Sequence, residues 1–61
     1  MDLNWLMVVK SIAGTLTEDQ WRRLKADEDY RLAYRLYTQA GQDKAKMHLQ
    51  KALIGLGMVT Q

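Results

Sequence analysis

The chain holds no cysteine and only one histidine in 61 residues. No disulfide can restrict its unfolded state, and too few ligands are left for a thiolate or multi-histidine metal site. A chain of this length buries only about 60% of the surface it exposes when unfolded. What holds it must then be regular packing of apolar faces, or a partner subunit. Proline is absent and β-branched residues are few after Thr17, which favours helix over strand. Apolar residues make up 48% and charged residues 26%, proportions that supply a core and disfavour disorder. The expectation is one all-α domain over residues 1–61. It is a small bundle of three to four short helices at about 3–13, 18–26, 28–40 and 43–55.

The first segment runs from Leu3 to Ala13, with Asp2 or Asn4 to cap it and Gly14-Thr15 to end it. Only Asn4, Lys10 and Ser11 interrupt its apolar residues, so it needs cover on more than one side. The second segment has the clearest start. Thr17 and Gln20 form a Thr-x-x-Gln capping box, Leu16 and Trp21 occupy the positions of a hydrophobic staple, and Glu18 and Asp19 fill the first turn. Glu18–Arg22 and Asp19–Arg23 are i,i+4 pairs. Trp21 and Leu24 face nearly opposite to Tyr30, Ala33, Tyr34 and Tyr37 if residues 18–40 form one straight helix. A break at Ala26-Asp27, with Asp27 as a new cap, removes that conflict. Gly41 ends the third segment, and Asp43 is expected to cap the fourth. A turn of two or three residues makes the last two helices antiparallel neighbours.

The charge pattern and side-chain inventory restrict the chemistry. Net charge is +2, and the excess falls after residue 40, where Lys44, Lys46 and Lys51 outnumber Asp43. Two surplus charges are few for a phosphate-binding surface. Ser11 is the sole serine and His48 the sole histidine, with no carboxylate at helical spacing from it. A catalytic triad would need remote groups to converge. Asp27, Glu28 and Asp29 are consecutive and fan out around a helix rather than share a site. No glycine-rich phosphate loop is present. The expectation is a non-enzymatic protein without cofactor or metal. The apolar run Trp5–Val9 is far too short to span a bilayer. Met1 reads as the start of a complete small product, no basic segment precedes that run, and the expected location is cytoplasmic.

Residues 30–56 resemble one tetratricopeptide-type helical hairpin, through Leu32-Ala33, Tyr37, Gly41 (one place late), Ala45, Leu49 and Ala52. Asp29 stands where the early large aromatic belongs and Gly57 where the closing proline belongs. The resemblance covers under half the chain. It implies an α-hairpin of a type that usually binds proteins.

The favoured functional reading is a small protein–protein interaction module. It would be a regulator or inhibitor, of the phage or mobile-element accessory kind, acting on a partner protein through apolar helix surfaces. The expected contact residues are Trp5, Leu6, Val9 and Ile12 of the first segment and the stripe Tyr30, Tyr34, Tyr37. That stripe reads first as an ordinary core face, next as a partner interface and last as a base-stacking surface. A first helix that is apolar on two sides also predicts a homodimer. The second reading is a dimeric DNA-binding transcriptional regulator contacting nucleic acid through Lys44, Lys46, His48 and Lys51. A helix-turn-helix is a poor fit. Bulky Tyr37 stands four residues before the turn glycine, and Asp43 opens the would-be recognition helix. A membrane-surface role for the first segment is disfavoured by its lack of flanking lysines.

Overall fold

The computed structural model describes residues 3–59, and the expected cap Asp2 lies outside them. Four helices follow one another: α1 (Leu3–Ala13), α2 (Glu18–Lys25), α3 (Glu28–Ala40) and α4 (Gln42–Gly55). No strand occurs among the described residues. The Cα radius of gyration is 10.3 Å, close to the ~10.5 Å of a fully compacted chain this long. The helices therefore fold back on one another rather than string out.

Each boundary has a local cause. The N–H of Gly14 donates to the Lys10 carbonyl at 2.8 Å, and Gly14 takes φ 72°. That left-handed geometry costs glycine little, and it ends α1. The capping box at α2 is complete in both directions. The Gln20 N–H donates to Thr17 Oγ1 at 3.1 Å, and the Thr17 N–H donates to Gln20 Oε1 at 2.9 Å. The chain breaks between α2 and α3, because Asp27 Oδ1 accepts from the N–H groups of Asp29 (2.9 Å) and Tyr30 (3.3 Å). Those two donors would otherwise be orphaned at a helix start. At the far end, the Met58 N–H reaches the Leu53 carbonyl at 2.9 Å and the Gly57 N–H reaches Ile54 at 3.0 Å. This is a Schellman closure with Gly57 in the left-handed position.

Two expectations need correction. Asp43 does not cap α4. The helix starts one residue earlier, and Gly41 is the N-cap, with no side-chain cap bond. Gly41 adopts φ 90°, ψ −166°, a region open essentially to glycine alone. It turns the whole chain in one residue where two or three were expected. Asp43 is left in the first turn of α4, where the helix dipole still favours its charge. The ion pair on α2 is Asp19–Arg22 at 3.8 Å, with both side chains over 70% exposed, instead of the two i,i+4 pairs. Exposed pairs of this kind contribute little to stability, so the exchange of partners costs the helix little.

One core gathers residues from all four helices: Trp5, Val8 and Val9; Leu24; Tyr30 and Ala33; Ala45, Leu49, Ala52 and Leu53. α3 and α4 pack most closely, as an antiparallel hairpin. Ala33, Ala45 and Ala52 are buried there, and small side chains let two helix backbones approach. Leu16, Trp21, Leu36 and Met58 close the margins of this core.

Candidate functional site

The expected contact residues fall mostly inside the molecule. Trp5 and Val9 have 0% exposure and Tyr30 has 6%. Leu6, Ile12 and Tyr37 are half-buried, and Tyr34 stands at the margin with 36% exposed. Trp5 is the hub. Its indole N–H donates to the Tyr30 hydroxyl at 2.9 Å. Its ring lies 5.8 Å from Tyr30, 5.5 Å from Tyr34 and 5.1 Å from Tyr37, centroid to centroid. Tyr34 and Tyr37 are themselves 6.4 Å apart and close to parallel. These separations suit edge-to-face and offset aromatic packing. The tyrosine stripe is thus the wall of α3 that receives the tryptophan of α1. Burial raises the Tyr30 hydroxyl above the ordinary 10.0, and Tyr34 adds to the shift, while the hydrogen bond from Trp5 opposes it.

Different residues carry the exposed apolar surface. Leu3 is 75% exposed, Met7 68% and Met47 65%, with Leu32 at 37%. On α1, Leu3 and Met7 lie roughly 160° around the axis from the Trp5, Val8, Val9 face. The first helix does have two apolar sides, and the chain covers only one of them. The basis for a homodimer is thereby reduced to Leu3 and Met7. A sequence signal for this split existed: Trp gains most by burial, and Met is the more dispensable of the two in a core.

The basic residues divide between two sides of α4. Lys44, His48 and Lys51 share one edge, and Lys46 stands roughly 150° away. All three lysines are exposed and His48 is half-buried. His48 Nδ1 is buried without a hydrogen-bond partner among the described residues. Met47, His48, Gln50, Lys51 and Ile54 line a shallow depression of about 340 Å³ on the outward side of α4. A second depression of about 250 Å³ on α2 is lined by Glu18, Trp21, Arg22 and Lys25. Among the described residues, no group of three or more His, Asp or Glu is placed to hold a metal ion. No described helix is long and apolar enough to cross a membrane.

Comparison with protein-family models, curated proteins and solved structures found no match.

Proposed function

We propose that the protein is a small interaction module, a regulator or inhibitor that works by covering part of another protein. The observation that carries this reading is the division of its apolar side chains. The core is closed within one chain, around Trp5, yet Leu3, Met7 and Met47 stay well over half exposed. Keeping large apolar side chains in water forgoes burial worth about 1.5–3 kcal/mol apiece. A partner surface would recover it. The contact residues are therefore Leu3, Met7 and Met47, in place of the buried Trp5 and Val9. DNA binding has less support, because Lys46 points away from the edge that Lys44, His48 and Lys51 share.

The test is affinity capture from the native host with the wild-type chain and with a Leu3→Asp/Met7→Asp/Met47→Asp variant. A partner held by the wild type and lost by the variant, with helicity unchanged by circular dichroism, is the expected result. Equal capture by both chains would discard these residues as the contact surface.

A further inference from the structure

Two of the three proposed contact residues are methionines, and a thioether is an apolar group that a mild oxidant turns polar. Met7 is 68% exposed and Met47 65%, whereas Met58 is half-buried against the core. Neither Met7 nor Met47 belongs to the core or to the apolar residues packed on it. No ring shelters either sulfur. Trp5 packs with the three tyrosines on the other side of α1, and no aromatic residue follows Tyr37 in the chain.

Each exposed sulfur also has a cation within about one turn on its own helix face. Lys10 stands three residues after Met7, and Lys44 and Lys51 stand three before and four after Met47. All three lysines are exposed. A thioether sulfur is a weak acceptor, whereas a sulfoxide oxygen is a polar one to which an ammonium group can donate. Oxidation therefore replaces an apolar contact group by one that water and a neighbouring lysine both solvate.

The step is a two-electron oxidation. A hydroperoxide transfers one oxygen atom to the thioether sulfur. The O–O bond breaks, the S–O bond forms, and the peroxide is reduced to water or an alcohol. No charge is added to the side chain.

We infer that Met7 and Met47 are sites of reversible oxidation by peroxide, and that their sulfoxides turn the contact surface polar while the fold stays intact. The inference rests on the interaction-module reading and adds a redox control to its surface.

The test treats the full chain with graded hydrogen peroxide, removes the oxidant, and reads each methionine by peptide mass spectrometry. Met7 and Met47 should gain one oxygen about threefold or more faster than Met58. The chain oxidised at those two positions should keep its helicity and melting curve. It should capture the native partner about tenfold or more weakly, and methionine sulfoxide reductases of both epimer specificities should restore capture. Met7→Leu/Met47→Leu, which retains Met58, should capture the partner alike before and after peroxide. Oxidation of Met58 at an equal rate, or a melting curve lowered by the two sulfoxides, would overturn the inference. Undiminished capture by the oxidised chain, or equal loss in the leucine variant, would overturn it too. Loss of capture by Leu3→Asp/Met7→Asp/Met47→Asp with full capture by the oxidised chain leaves the interaction-module reading standing while the redox control fails. A reduced wild-type chain that captures nothing sinks both.

Discussion

At the residue scale the molecule depends on one side chain, Trp5, and on what meets its ring and its N–H. The indole N–H is buried, and the Tyr30 hydroxyl satisfies it at 2.9 Å. Tyr30→Phe keeps the ring contact and strands the donor, which costs about 1–3 kcal/mol, read as a lowered urea midpoint. The same hydroxyl sets a pH dependence. Burial raises its pKa above 10.0, so the folded state holds the proton more tightly than the unfolded chain does. That contribution is fully present below the unfolded value and is lost as pH rises through the folded one. The stability gap between wild type and Tyr30→Phe should hold steady from neutral pH to about 9 and narrow above about 10. A gap that widens in alkali would contradict this account.

At the element scale, the helices are short enough that their ends decide where they lie. Thr17→Ala removes half of the α2 capping box and should cost about 1 kcal/mol, measured by thermal or chemical unfolding. Gly41 has the stricter role. Its φ of 90° with ψ −166° makes the one-residue turn between α3 and α4, and nothing lies within 4 Å of where a Cβ would stand. Gly41→Ala therefore meets backbone strain alone, on the order of 1–3 kcal/mol. It should lower the melting temperature without changing the helical spectrum of what remains folded. These ends were legible in the sequence because each is local: a threonine three residues before a glutamine, an aspartate before a fresh apolar face, a glycine after the last one. Asp43 was misassigned for an equally local reason. It is a good cap residue near a helix start, and only the backbone of Gly41 showed that the helix had already begun.

At the scale of the whole molecule, a chain of 61 residues has a total stability of roughly 3–9 kcal/mol. Trp5→Ala opens a cavity worth about 3–5 kcal/mol and strands the ring contacts of three tyrosines. It should remove a large part of that stability, read as a strongly lowered urea midpoint and melting temperature by circular dichroism. Leu3→Ser and Met7→Ser alter residues that are 75% and 68% exposed and should shift stability by no more than about 0.5 kcal/mol. The contrast places core and exposed apolar surface on opposite sides of one helix. If Leu3→Ser or Met7→Ser proved as damaging as Trp5→Ala, that division would fall.

The sequence by itself determined the helical class and the glycine ends, and it favoured, without fixing, the break at Asp27 that makes four helices instead of three. It could do so because propensity, caps and apolar spacing act over a few residues. It also marked α1 as apolar on two sides. Only the tertiary structure decided which side goes inward. Trp5 meets Tyr30 across 25 positions of chain, and no periodicity within α1 can record a partner that distant. Packing the largest ring against the tyrosine wall of α3 turned the expected contact face into core. It left Leu3 and Met7 outside, at 75% and 68% exposed, because no other part of the described chain reaches that side of α1.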